Sequence, residues 1–205
     1  MTIALVDYGM GNRRSVEKAF EHVGARVVRT ADPQVVAGAE AIVLPGVGAF
    51  PEAMRRLRGL GLAPVLRERA GAGVPVLGIC LGMQLLFERS EEHEGADGLG
   101  LLAGVVTRLE APGLKVPHIG WNEVAFTRPA AITSGLGERA AFYHVHTFTC
   151  RPADEDDVVG RGEYGEPFAS IVERENVMGV QFHPEKSSLD GLALLRSFAG
   201  VRVAA

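Results

Sequence analysis

The chain has 205 residues, close to one domain of ordinary size and long enough to bury a core without disulfide staples. Apolar residues make up 47% and charged residues 22%, while 21 basic against 25 acidic residues leave a net charge of −4, which excludes the basic footprint of a nucleic-acid binder. Two cysteines, neither in a Cys-x-x-Cys pair, exclude a disulfide scaffold and a cysteine-based zinc site, so a reducing, cytoplasmic compartment is expected.

The N-terminal residues reach Asp7 with neither a basic start nor a long apolar stretch, so no signal peptide is expected. No apolar run approaches the ~20 residues needed to cross a bilayer. Thr2 to Val6 reads as a strand, followed by the glycine turn Gly9-Met10-Gly11. Val16, Ala19, Phe20 and Val23 fall at helical spacing, and Gly24 closes that helix. Ala25 to Arg29 and Ala41 to Leu44 read as the next strands, the second stopped by Pro45-Gly46. Val74 to Ile79 is apolar apart from Pro75 and Gly78, the pattern of a strand buried on both faces. Strands of this kind separated by helices predict a parallel sheet covered on both sides.

The second half changes texture. Gly104 to Leu109, His118 to Phe126, Ala140 to Phe148, Phe168 to Glu173 and Val177 to Phe182 predict strands in an antiparallel or mixed extension of the same sheet. Leu192, Leu195 and Phe198 mark a C-terminal helix. The expectation is one α/β domain over residues 1–205, a mostly parallel central sheet flanked by helices with a mixed extension.

The segment Val76-Leu77-Gly78-Ile79-Cys80-Leu81-Gly82-Met83-Gln84 carries the chemistry. A buried strand runs into Cys80, and a helical pattern of Leu81, Leu85 and Glu88 begins at once, with glycines two residues to either side. This is the spacing of a nucleophile elbow with cysteine in place of serine. Side chains at those flanking positions would strike the neighbouring strand and helix. The sulfur stands at the positive end of a helix, which favours the thiolate, and the Leu81 N–H has no partner in a preceding turn and is free to stabilise an oxyanion.

A thiol nucleophile needs a base, and the base needs an orienting group. His183 follows a strand, Pro184 forces the chain out of the sheet, and Glu185 is near enough to fix the imidazole tautomer. Cys80 and His183 both end strands, and in a parallel sheet the carboxyl ends share one edge. His144 and His146 alternate onto one face of a strand, but no third metal ligand is evident, so no metal site is expected. His22 on the first helix, His93 in an acidic loop and the run Asp154 to Asp157 read as solvated. The glycines of Pro45-Gly46-Val47-Gly48 free the Val47 N–H to turn towards Cys80 as a second oxyanion donor, although the same residues also suit a plain turn. The loop lacks the lysine and hydroxyl of a phosphate loop, so no nucleotide cofactor is expected.

Gly78-Ile79-Cys80-Leu81-Gly82-Met83-Gln84 and Phe182-His183-Pro184-Glu185 resemble the paired signatures of the class I, triad-type glutamine amidotransferases, whose core is flavodoxin-like. Within that class, Asp7-Tyr8-Gly9-Met10-Gly11-Asn12, Pro45-Gly46-Val47-Gly48, Pro117-His118-Ile119-Gly120-Trp121-Asn122 and His183-Pro184-Glu185-Lys186-Ser187-Ser188 resemble the glutaminase subunits of imidazole glycerol phosphate synthase. The resemblance implies a Cys80–His183–Glu185 triad that hydrolyses L-glutamine through a thioester, with Leu81 and Val47 at the oxyanion hole. It also implies that Gly48, Gln84, Thr147 and Phe148 hold glutamine. Asn12, Trp121 and Lys186 would then face a separate (β/α)₈-barrel cyclase in a heterodimer, which takes the ammonia for histidine biosynthesis. Arg13 and Phe148 depart from the leucine and tyrosine expected there.

Two other readings fit the same residues. One is a cysteine peptidase or other hydrolase of the same superfamily, which would have no use for Gln84 beside the Pro-His-Ile-Gly-Trp-Asn segment. The other is a catalytically silent binding subunit, which would not need an intact triad.

Overall fold

The computed structural model describes residues 2–200. The chain runs through β1 (Thr2–Val6), α1 (Arg13–His22), β2 (Arg26–Thr30), α2 (Pro33–Ala37), β3 (Ala41–Gly46), α3 (Phe50–Gly59), α4 (Leu62–Gly71), β4 (Val76–Cys80) and α5 (Leu81–Leu85). It continues through β5 (Phe87–Ser90), β6 (Ala96–Asp97), β7 (Leu102–Arg108), β8 (His118–Phe126), β9 (Arg139–His146) and β10 (Phe148–Pro152). The last elements are β11 (Val158–Tyr164), β12 (Glu166–Arg174), β13 (Val177–Val180) and α6 (Ser188–Gly200), with short 3₁₀ turns at Glu155–Asp157 and Pro184–Lys186.

The strands form a nine-stranded sheet in the order β2-β1-β3-β4-β13-β12-β11-β8-β9 and a four-stranded sheet in the order β10-β7-β5-β6. From β2 to β13 the large sheet is parallel, and from β12 to β9 it is antiparallel. The parallel strands are apolar because helices cover both faces. On one face, α1 and α6 pack through Val16, Phe20, Leu194 and Phe198, with the two phenylalanine rings edge to face at 6.0 Å. On the other, Phe50, Met54, Leu57 and Leu66 of α3 and α4 fill the core and continue into the small sheet. No helix among the described residues is long and apolar enough to cross a membrane.

Four details differ from the sequence expectation. Strand β7 pairs with β10 on one side and β5 on the other in the small sheet instead of extending the large one. The strand expected over Ala140 to Phe148 breaks at Thr147, whose carbonyl accepts the Leu109 N–H at 2.9 Å and so hands the chain from one sheet to the other. The helix after Cys80 stops at Leu85 and Glu88 lies in β5, because Leu85, Leu86 and Phe87 are all fully buried and a strand buries such a run between layers. Asp157 is buried beside Arg174 instead of solvated, and burial raises its carboxyl above the ordinary range.

At the end of the large sheet, β9 is not left open. The Ala141 N–H reaches Asp190 Oδ2 at 3.3 Å, the Tyr143 N–H reaches Ser187 Oγ at 3.0 Å, and the Tyr143 carbonyl accepts the His183 N–H at 2.9 Å. The Ser187 hydroxyl in turn donates to the His183 carbonyl at 2.7 Å.

Candidate active site

The site begins with an elbow that the sequence cannot avoid. Cys80 ends β4 with φ 56° and ψ −113°, a backbone state that side-chain-bearing residues rarely adopt. A Cβ on Gly82 would lie 1.7 Å from the Leu44 carbonyl oxygen, and one on Gly78 would lie 2.6 Å from the Gly82 carbonyl oxygen. Both flanking glycines are therefore required by backbone packed against backbone. The turn leaves Cys80 almost buried, with Sγ 3.7 Å from the Val145 carbonyl oxygen and 3.8 Å from Gln181 Nε2.

Register brings His183 to Cys80. β13 pairs in parallel with β4, Val180 opposite Ile79, so both chains leave the sheet at the same carboxyl edge. Three residues on, His183 Nδ1 meets Glu185 Oε1 at 2.9 Å, and neither side chain is open to solvent. Burial alone would lower the His183 pKa, but its hydrogen bonds to Cys80 and Glu185 outweigh that and push it up to about 10. The contacts with Cys80 and Glu185 thus favour the protonated form of the His183 imidazole.

Cys80 and His183 share a cleft of about 500 Å³. Of the residues expected there, Val47, Gly48, Leu81, Gln84, Thr147 and Phe148 line it, and so does Lys186, expected at the partner face instead. Val47 sits half-exposed at the rim and Gly48 has φ +102°, with Met10 Cε 2.9 Å from where a Cβ would lie. Gln84 is buried, and its Nε2 donates to the Phe148 carbonyl and to Gln181 Oε1, both at 3.1 Å, so only its Oε1 remains for a ligand. Lys186 stands 6.0 Å over the Tyr143 ring, which meets Trp121 edge to face at 6.2 Å.

Asn12 and Trp121 do not line the cleft. Trp121 is 56% exposed on β8 beside Ile119, also exposed, while the Asn12 side chain makes no capping hydrogen bond at the start of α1. Arg13 turns back to pair with Asp7.

Several residues at the site carry no signal in the sequence. Glu92, from the loop read as solvated, reaches the cleft, where its Oε2 accepts the Phe50 N–H at 2.7 Å and caps α3. Gln181 lies between Gln84 and Cys80. His146 lines the cleft and belongs to a buried chain in which its Nδ1 bonds the Phe148 carbonyl at 3.0 Å and its Nε2 meets His118 Nδ1 at 3.1 Å. Carbonyl oxygens only accept, so the ring tautomers follow, and burial lowers His118, His144 and His146, the last to about 4. His118 thus adds a third histidine to the pair noted in the sequence. Among the described residues, however, no group of His, Cys, Asp or Glu is arranged to hold a metal ion.

Residues 4–199 match the family described as glutamine amidotransferase class-I. The chain is similar to the imidazole glycerol phosphate synthase subunit HisH of Moorella thermoacetica, with 52% identity over 96% of this chain and 93% of the relative. It is also similar to the HisH subunit of Aquifex aeolicus, with 49% identity over 97% and 96%. Its fold is that of a glutamine amidotransferase crystal structure (TM-score 0.77, 22% identity, covering 97% and 99% of the two chains). The structure of PurLQS from Thermotoga maritima superposes comparably (TM-score 0.76, 21% identity, 96% of each chain). With an elbow cysteine and a histidine meeting in one cleft, a glutamate hydrogen-bonded to that histidine, and relatives matched along nearly the whole chain, this protein belongs to the class-I glutamine amidotransferase family, in the branch of the HisH subunits.

Proposed function

We propose that the protein is the glutaminase subunit of an imidazole glycerol phosphate synthase and that Cys80, His183 and Glu185 are its triad. The observation that carries the reading is the strained Cys80 elbow facing an imidazole that its own partners keep protonated. Cys80 Sγ attacks the glutamine carboxamide carbon, and His183 gives its proton to the departing nitrogen, which leaves as ammonia. Water, deprotonated by His183, then attacks the thioester carbon and expels the thiolate, giving glutamate. Glu185 holds the Nδ1–H, so Nε2 does the proton work. The Leu81 and Val47 N–H groups stabilise the oxyanion.

The cleft suits glutamine in charge as well as in size. Its carboxylate, Glu92, and the free Oε1 of Gln84 accept from an α-ammonium, Lys186 supplies a cation for the α-carboxylate, and Gly48, Thr147 and Phe148 wall the chain between. Exposed Ile119 and Trp121, with Asn12, form the docking face for a (β/α)₈-barrel cyclase that consumes the ammonia. Two unpaired cysteines suit a reducing cytoplasm.

The test is the rate of glutamine hydrolysis with and without the cyclase and its nucleotide ligand, beside Cys80→Ala. Slow turnover alone, faster turnover with the partner, and none in Cys80→Ala are expected. Hydrolysis that survives Cys80→Ala would refute the assignment, and turnover of peptides or esters in place of glutamine would favour the hydrolase reading.

A further inference from the structure

Gln181 has no solvent exposure, and nothing in the hydrolytic scheme above uses it. A buried carboxamide has both donors and an acceptor to satisfy. Its orientation can be worked out from an anchor. The Phe148 carbonyl oxygen can only accept, so the amide nitrogen of Gln84, 3.1 Å away, must face it. The second hydrogen of that nitrogen points at the Gln181 side chain, so the atom 3.1 Å away is the Gln181 oxygen. The Gln181 NH₂ group is thereby turned to the Cys80 sulfur, at 3.8 Å. Two carboxamides in series thus transmit the polarity of one main-chain carbonyl to the nucleophile.

The sulfur has a second neighbour of opposite character. The Val145 carbonyl oxygen, 3.7 Å away, accepts from a thiol but repels a thiolate. The Gln181 N–H does the reverse, since a thiolate is a far better acceptor than a thiol. We propose that Gln181 is a further catalytic residue of this site: its carboxamide donates to the Cys80 thiolate, offsets the Val145 carbonyl, and keeps the nucleophile charged and aimed before substrate arrives. The proposal rests on the glutaminase reading for its consequence in turnover, but not for its effect on the sulfur.

The experiment uses the full chain and reads the sulfur without glutamine. Alkylation of Cys80 by iodoacetamide at pH 7 is compared in wild type, Gln181→Met and Gln181→Glu, with Cys80→Ala as the blank and buried Cys150 as the unreactive control. Hydrogen bonds to charged groups are the stronger kind, and at this length the loss is expected to slow alkylation about tenfold in Gln181→Met. It should slow further in Gln181→Glu, whose carboxylate repels the thiolate. With the cyclase present, kcat for glutamine falls in parallel while KM stays within about twofold, a split that a purely structural role would not give. Wild-type alkylation in either folded variant overturns the proposal. The unmodified chain supplies a measurement that no folding defect can spoil. The Gln181 side-chain amide resonances should move together with the ultraviolet thiolate band as pH is varied, and resonances that stay fixed overturn it too. If glutamine turnover were absent altogether, the glutaminase reading would fail while the alkylation result still judged Gln181.

Discussion

Gly82→Ala tests the elbow directly. The added methyl carbon would sit 1.7 Å from the Leu44 carbonyl oxygen and 2.8 Å from its carbonyl carbon. Leu44 is fully buried in the middle of β3 and paired with Gly78 of β4, so the obstacle is main chain and has no rotamer to change. Relief requires α5 to move away from β3 by more than an ångström. Overpacking a core with side chains costs about 1–3 kcal/mol, and a clash with immovable backbone belongs above that range, at about 4 kcal/mol. For a chain of this size that lowers the melting temperature by about 8–16 °C. Gly71→Ala is the control, because nothing lies within 4 Å of its Cβ position and the residue ends α4, so it gains about 0.5 kcal/mol from helix propensity. Thermal unfolding followed by circular dichroism separates the two. Below the transition, Gly82→Ala also loses about a hundredfold in glutamine turnover, since Cys80 and the Leu81 N–H move with α5. A Gly82→Ala protein that melts within about 2 °C of wild type would show that the glycines are not what the elbow requires.

Two further predictions concern protonation. In Glu185→Gln one of the two hydrogen bonds that raise His183 is weakened, so the alkaline limb of the glutaminase pH profile, set by loss of the imidazolium proton near pH 10 in wild type, moves to lower pH. An unmoved limb would mean that Glu185 does not act on His183. His146 stays neutral in the fold down to about pH 4 but protonates from about pH 6.5 when unfolded, so between those values the unfolded chain binds more protons and stability rises with pH. This residue alone makes the protein about 2 kcal/mol less stable at pH 5 than at pH 7, with buried His144 acting in the same sense, and urea unfolding of His146→Gln should show a shallower pH dependence.

What the sequence conveys here depends on how local each feature is. The elbow is legible because all its requirements lie within Gly78 to Gly82, and the His183–Glu185 contact because two residues separate the partners. The edge shared by Cys80 and His183 follows from a general property of parallel sheets, so that juxtaposition is legible as well. Gln181 is different: its role depends on Gln84, 97 residues away, which in turn depends on Phe148, 64 residues from Gln84. Glu92 reaches the cleft only because β5 carries the chain back beneath it, and charge runs look alike whether they face water or a substrate. The apolar run from Gly104 to Leu109 marked β7 as a strand but could not say which sheet it joins, and β10 beyond Phe148 went unread. Strand β11 went unread because Gly160 and Gly162 interrupt its pattern; a Cβ on Gly162 would meet the Phe168 ring at 2.6 Å, and one on Gly160 would meet Val124 at 2.8 Å. Packing against neighbours, invisible along the chain, put glycine there.

The bonds that tie His183, Ser187 and Asp190 to β9 have a consequence for the protein out of its working state. They occupy main-chain groups on the outermost strand of a long sheet, the kind of border that invites pairing with another chain. The same short segment therefore presents His183 to the cleft and guards against self-association. When heat or mutation peels it away, activity is lost and an adhesive border is uncovered in one step. Inactivated molecules would accumulate as aggregates instead of as quiet monomers, and selection for solubility and selection for turnover act on the same few residues.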